Sequence, residues 1–260
     1  MSRHAILLVV CALTVGSAGS GARAGEVACW FENGAVVVPA SIGGVAGDWL
    51  LDPSAPRTQL HDTRAAMEGL GDGFAAAGRL ADLALPPVPV TVADLDGRAP
   101  GFVTPVAGVI GADILAAFVI DLRFEPCRVR LYAGRAPGVR GGAVLRLETV
   151  GGVPAVRAAI SDDRQARAGL FAVDWSSRAA VRLTGARITP AVEGLDPARR
   201  DLAPARLRAL SLDGMLYEEP SAALATDLDP ALAGALGLDL WSRWSLRLDI
   251  AGGRLTLLPK

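Results

Sequence analysis

Aromatic residues make up only 5% of the 260 residues, so any buried core must be built mainly from Val, Leu, Ile and Ala. Lysine occurs once, as Lys260. Every other basic residue is Arg, which reads as codon bias rather than chemistry. Two histidines and three cysteines leave little material for a metal site, and no Cys/His cluster exists, so no metal or cofactor is expected. The 26 basic and 27 acidic residues nearly cancel, and there is no long basic run. This excludes a nucleic-acid binder that works by neutralising phosphates. What is present is 51% hydrophobic residues with 20% charged, enough to bury a sizeable core. The 30 glycines and 17 prolines are too many for a helical bundle and point to many turns.

The first 24 residues read as a secretory signal. Arg3 and His4 precede an apolar run over 5–15, and small residues follow, ending in Ala22-Arg23-Ala24. That run is too short for the roughly 20 residues a bilayer span requires. Cys11 raises lipid attachment as a rival, but Val10 stands where a small residue is wanted. No later segment reaches spanning length without charges, so the expectation is a soluble protein, periplasmic or secreted, with no membrane span after cleavage. Cys29 and Cys127 then remain. In an oxidising compartment they are candidates for one disulfide closing a loop of about 100 residues, worth up to about 4–5 kcal/mol in the chain-entropy model. The alternative is two unpaired small apolar residues. His61 alone supports neither a metal site nor a catalytic triad.

Four blocks recur in the same order in two halves. Gly111, Asp113, Leu115 and Phe118 align with Gly237, Asp239, Trp241 and Trp244 at an offset of 126. Asp52 aligns with Asp174 at an offset of 122. The stretch 79–85 resembles 206–212, and Asp94-Leu95 resembles Asp227-Leu228. Each half reads as strands: 35–42, 49–52 and 88–93 in the first, with Pro86, Pro87 and Pro89 confining the last to an edge or a strand start. Hairpins are predicted over 119–132, around Glu125-Pro126-Cys127, and over 245–258, around Ala251-Gly252-Gly253. Short helices are predicted over 62–70, 113–118 and 239–244, with a further one over 196–210 interrupted at Pro204. The organisation expected is a signal over 1–24, an N-terminal lobe over 25–134, a Gly/Arg-rich linker over 135–143 and a C-terminal lobe over 144–260.

The pattern resembles the aspartic peptidases of the retropepsin and pepsin type. In that family each lobe carries hydrophobic-hydrophobic-Asp-Thr/Ser-Gly, and later a hydrophobic-hydrophobic-Gly segment that supports the aspartate loop. Here the first lobe has Leu50-Leu51-Asp52-Pro53-Ser54 and Val109-Ile110-Gly111. The second has Ala172-Val173-Asp174-Trp175-Ser176 and Ala235-Leu236-Gly237. The resemblance covers residues 26–260. It implies an all-β fold of two similar retropepsin-like barrel lobes in a pepsin-like bilobal arrangement, with a few short helices. It also implies an Asp52/Asp174 dyad that shares one proton and activates a bridging water against a peptide bond. Without it, Asp52 and Asp174 are ordinary loop aspartates at strand ends.

The departures bear on activity. The family's Thr after each Asp bonds across to the other lobe. Pro53 lacks hydroxyl and N–H alike, and Trp175 has no hydroxyl and cannot enter so small a slot. Ser54 and Ser176 carry a Cβ where the family has Gly. A misplacement of about 1 Å can cost on the order of a hundredfold in rate. Trp175 is a candidate to fill the cleft. Arg57 and Arg178 are candidates to lower a carboxylate pKa or are solvated edge residues. The flap candidates, 71–78 and 185–193, lack a signature tyrosine.

Three readings stand. One is an exported aspartic endopeptidase using Asp52, Asp174 and water. Another is an inactive pseudo-peptidase that holds an extended peptide or protein segment in the inter-lobe cleft. The last is an unrelated exported β module with an accidental Asp pair. The fused duplication implies a monomer that builds both halves of its cleft from one chain.

Overall fold

The computed structural model describes residues 23–98, 102–103, 105–162, 164–183, 204–205, 207–225 and 227–260. The predicted signal, apart from Arg23 and Ala24, and the flap candidate at 185–193 lie outside the described residues. Strands dominate. The first lobe uses β2 (Trp30–Glu32), β3 (Ala35–Ile42), β4 (Val45–Leu51), β5 (Gln59–His61), β6 (Gly73–Leu80), β7 (Leu83–Ala93) and β8 (Gly108–Ile110). The second uses β12 (Glu148–Val150), β13 (Val153–Ser161), β14 (Ala166–Val173), β15 (Val181–Leu183), β16 (Pro204–Ala205), β17 (Ala209–Leu212), β18 (Met215–Glu218), β19 (Ala222–Leu224) and β20 (Gly234–Leu236).

The two lobes repeat one connection pattern. The order β3-β4-β8-β5-β7 in the first matches β13-β14-β20-β15-β19 in the second. In both, the strand leading to the aspartate runs parallel to the strand leading to the supporting glycine. Leu51 pairs with Ile110 and Val173 with Leu236. These strands are apolar on both faces because they are covered on both faces, as buried parallel strands must be.

A third sheet joins the lobes. It contains β1 (Arg23–Ala28), β9 (Phe118–Phe124), β10 (Cys127–Ala133), β11 (Ala143–Arg146), β21 (Ser245–Asp249) and β22 (Arg254–Leu258), in the order β1-β10-β9-β21-β22-β11. The two predicted hairpins are therefore halves of one sheet. β9 pairs with β21 across the lobe boundary, with Leu122 opposite Leu246 and Ile120 opposite Leu248. Alternation explains the docking: Leu246 and Leu248 are buried while Arg247 faces out. Arg247 forks onto Asp121 at 2.6 Å through both Nε and Nη2, adding a charged cross-lobe pair. Cys29 and Cys127 are joined by a disulfide, with Cα atoms 5.0 Å apart, tying the β1–β2 connection to β10.

The helices are short: α1 (Asp62–Met67), α2 (Ala112–Leu115) and α3 (Leu238–Trp241). Of the predicted helix over 196–210, residues 196–203 and 206 lie outside the described residues, and strand β16 and the start of strand β17 fall within the described part. Pro204 lies in β16, and Leu210 and Leu212 are buried at alternate positions of β17, so period two wins over the helical pattern. The proline-rich β7 has neighbours on both sides, but β5 joins it only from Thr91 onward. Over Pro86, Pro87 and Pro89 it faces β6 alone, so no ladder donor is lost there. One large core runs through both lobes and contains Trp49, Trp175 and Trp241. Two smaller clusters include matching positions beneath the aspartate strands, Leu50 and Val109 in one lobe and Ala172 and Ala235 in the other.

Candidate active site

Asp52 and Asp174 leave the ends of β4 and β14. The Asp52 N–H donates to the Ile110 carbonyl at 3.1 Å, and the Asp174 N–H donates to the Leu236 carbonyl at 2.9 Å. Gly111 and Gly237 lie directly beneath the loops that follow. A Cβ on Gly111 would come 2.5 Å from the Arg57 carbonyl carbon, and one on Gly237 would come 2.2 Å from the Ala179 oxygen. Only a glycine lets the backbones approach so closely. Each loop is also clipped to its helix by a hydroxyl. Thr58 Oγ1 donates to Asp113 at 2.8 Å in the first lobe. In the second lobe Ala180 stands at the Thr58 position, and Ser221 supplies the hydroxyl, donating to Asp239 at 2.6 Å.

The two carboxylates meet at one serine. Ser176 Oγ lies 2.7 Å from Asp52 Oδ2 and 3.0 Å from Asp174 Oδ1. Both aspartates are fully buried. A hydroxyl carries a single proton, so it donates to one carboxylate and accepts from the other only if that one is protonated. Asp174 is the carboxyl raised above its ordinary value: burial and the Asp52 charge push it up to about 6, against the pull of Arg182, so it takes up a proton only as the pH falls below that.

Two arginines complete the centre. Arg98 Nη1 donates to Asp52 Oδ2 at 2.9 Å, and Arg182 Nη1 donates to Asp174 Oδ2 at 2.7 Å. Arg182 also reaches Asp227 at 2.6 Å. Asp52 further accepts the Ser54 N–H at 2.8 Å, the Ser54 hydroxyl at 2.9 Å and the Trp175 N–H at 3.4 Å. Five protein donors thus crowd two oxygens that offer about four lone-pair positions.

Several expectations need correction here. Of the two readings of Arg57 and Arg178, solvated edge residues is the one seen, since both are exposed; the arginines on the dyad are Arg98 and Arg182. Trp175 does not fill the cleft. It is fully buried in the main core, and the group spanning the carboxylates is the Ser176 hydroxyl. The first flap candidate, 71–78, lies largely within β6, paired to β7 along its length and to β3 at its end. It is part of the lobe wall. His61 caps α1 and sits between Asp62 at 2.7 Å and Asp96 at 3.1 Å, apart from the dyad. Among the described residues no group of three or more His, Cys, Asp or Glu could hold a metal ion. The signal that could have found Arg182 was a charge between Val181 and Leu183 in an otherwise apolar strand. Nothing in the sequence singled out Arg98.

No protein-family model matches the chain, and no curated protein matches its sequence. Among solved structures, the aspartic proteinase from Irpex lacteus superposes with a TM-score of 0.56. It is 13% identical, and the match covers 92% of this chain and 98% of that one. At that identity the likeness establishes the fold: this is a pepsin-like, bilobal all-β protein.

Proposed function

We propose that this pepsin-like protein binds an extended peptide or protein segment between its lobes and does not hydrolyse it in the state seen here. One observation carries the reading. The acceptor positions that would activate a water are filled by Ser176, Ser54, Arg98 and the Trp175 N–H. A general base needs a free lone pair within hydrogen-bond reach of the proton it takes. Asp52 has none to spare. The peptide as ligand rests on the fold's inter-lobe cleft.

A second reading, an aspartic endopeptidase, has one observation in its favour. Asp174 held up to about 6 beside Asp52 is the unequal acid–base pair such chemistry uses. It requires both arginines and the Ser176 hydroxyl to leave first. We place the protein outside the cytoplasm, periplasmic or secreted, on the leading apolar segment and the Cys29–Cys127 bridge. We also take it as a monomer, since one chain supplies both aspartates. Among the described residues no helix is long and apolar enough to cross a membrane.

The test is a peptide library incubated with purified protein from pH 3 to 7, read by mass spectrometry for cleavage and by affinity capture for retained peptides. The expected result is retained peptides, with no products beyond those of an Asp52→Asn, Asp174→Asn double variant. Products that vanish in that variant would establish the peptidase reading instead.

A further inference from the structure

The fold places a β-turn of each lobe on the aspartate loop of the other. In the first lobe β2 and β3 are joined by Asn33-Gly34. In the second β12 and β13 are joined by Gly151-Gly152. The registers match, since Val36 faces Phe31 as Pro154 faces Thr149. Gly34 lies against Arg178, where a Cβ would come 2.4 Å from the Arg178 Cβ and 2.5 Å from its backbone N. Gly152 lies against Pro56, where a Cβ would come 3.5 Å from the Pro56 Cβ. Pro56 and Arg178 occupy the same position of the two loops.

The two contacts are unequal. Val36 N–H donates across the lobe boundary to the Trp175 carbonyl at 2.9 Å. Its counterpart is Pro154, which has no N–H to give. Trp175 N–H in turn donates to Asp52, while its counterpart Pro53 has none to return to Asp174. Among the described residues, these bonds from turn to loop to carboxylate across the lobe boundary run through the second loop.

We infer that the β2–β3 turn of the first lobe, through Gly34 and the Val36 N–H, is the positioning element that holds the second aspartate loop against Asp52, in place of a hydroxyl lock between the loops. The backbone contact at Gly34 leaves no room for a side chain, so loop 174–178 is seated at a fixed depth. The Val36–Trp175 bond then fixes the peptide plane between Trp175 and Ser176, which adjoins the Trp175 N–H on one side and carries the Ser176 residue, with its hydroxyl between the carboxylates, on the other. The turn touches neither carboxylate and acts through Trp175 and Ser176. The inference concerns the geometry of the dyad and is independent of whether the cleft binds or cleaves a peptide.

Three glycines with nearly equal positive φ give a matched test: Gly34 at +86°, Gly44 at +83° and Gly152 at +86°. Alanine is strained alike at all three, but a Cβ on Gly44 meets nothing within 4 Å. The measurement is the titration of the Asp174 carboxyl carbon by NMR, with thermal unfolding alongside. Gly34→Ala should push the second loop away from Asp52. Burial and the Asp52 charge both weaken, so the Asp174 midpoint falls toward the ordinary carboxylate range. Gly44→Ala and Gly152→Ala should lose thermal stability yet keep the wild-type midpoint. A midpoint in Gly34→Ala equal to that in Gly44→Ala overturns the inference.

If Gly34→Ala does not fold, amide hydrogen exchange on the unaltered protein decides. The Val36 and Trp175 amides should be protected and exchange at a common rate, as one opening. A Val36 amide that exchanges as fast as exposed loop amides overturns it.

Discussion

The two aspartate loops start from the same local sequence pattern and end in different electrostatic states. Asp52 is surrounded by donors from both lobes: Ser54 and Arg98 from its own, Trp175 and Ser176 from the other. Asp174 draws every donor from its own lobe, Ser176 and Arg182. The backbones are nearly equivalent, so the difference comes from side chains at a few positions. Pro53 stands opposite Trp175, and Leu60 stands opposite Arg182. Asp174, buried beside the Asp52 carboxylate, is pushed to keep its proton, against the pull of Arg182. Duplicated loops thus yield one carboxyl crowded by donors from both lobes and one raised toward about 6, without any change in the strands that carry them.

The largest test of this asymmetry is removal of each arginine. Arg182→Leu strands a fully buried carboxylate with no cation, and such breaks cost about 3–5 kcal/mol. The deficit at pH 7 should shrink toward pH 5, as Asp174 takes up a proton. Arg98→Leu leaves Asp52 with its other donors, and the Arg98 side chain is 13% exposed, so the expected cost is about 1–2 kcal/mol. Urea unfolding of both variants at pH 7 and pH 5 measures the gap. Equal costs at both pH values would break the comparison.

The second test is the pH dependence itself. The Asp174 carboxyl stands at about 6 in the folded protein against 3.8 as its ordinary value. A group whose pKa rises on folding holds its proton more tightly when folded. Its contribution therefore favours the folded state at low pH, falls as pH climbs from about 4 to about 6, and is lost above that. The whole change is on the order of 3 kcal/mol. Asp174→Asn should remove this part of the slope and be the more stable protein at pH 7. If the slope survives in Asp174→Asn, the proton sits elsewhere.

A smaller effect separates the serines. Ser176→Ala removes the hydroxyl between the carboxylates, while Asp52 Oδ2 keeps Ser54 and Arg98 and Asp174 Oδ1 keeps the backbone N–H of residue 176, so the loss is that of one hydrogen bond to a charged group, about 1.5–3 kcal/mol. Ser54→Ala removes one of several donors to Asp52, while the Ser54 N–H still bonds at 2.8 Å, so about 1 kcal/mol or less is expected. Thermal unfolding of the two variants at pH 7 ranks them. A costlier Ser54→Ala would place the bridge in the wrong lobe.

The architecture was legible in the sequence because it follows from repeated local rules. Apolar runs ending on Asp52 and Asp174, and glycines at 111 and 237, can be read from pattern alone. The strands 35–42 and 245–249 follow from alternation. The shared sheet was not legible, since the β9–β21 pairing joins residues more than a hundred apart. The chemistry of the site was legible only in part. Both aspartates and all four flanking residues were visible, but Arg98 arrives from a turn 46 residues beyond Asp52. Proximity in sequence offered Arg57 and Arg178 as candidates, and their alternative reading as solvated edge residues is the one that fits their exposure. Trp175 was misplaced because its bulk suggested a plug, whereas its side chain turns into the core and its backbone N–H does the bonding.

The smallest test sharpens the comparison at its origin. Pro53 is the position where the first loop should return the bond that Trp175 gives. Pro53→Ala restores an N–H there, and by the near-symmetry of the loops that N–H points toward Asp174. A hydrogen bond to the charged form lowers a carboxyl pKa, so the Asp174 midpoint should fall below its present value of about 6. Stability should barely move. Loss of the proline ring costs about 0.4–1 kcal/mol through the unfolded chain, and the new bond returns a similar amount. Carbon-detected NMR titration of Asp174 reads the outcome directly. A lowered midpoint assigns the asymmetry to the missing donor at Pro53. An unchanged midpoint in a folded variant assigns it to the burial of Asp174, and the two loops would then differ by their surroundings rather than by their backbone donors.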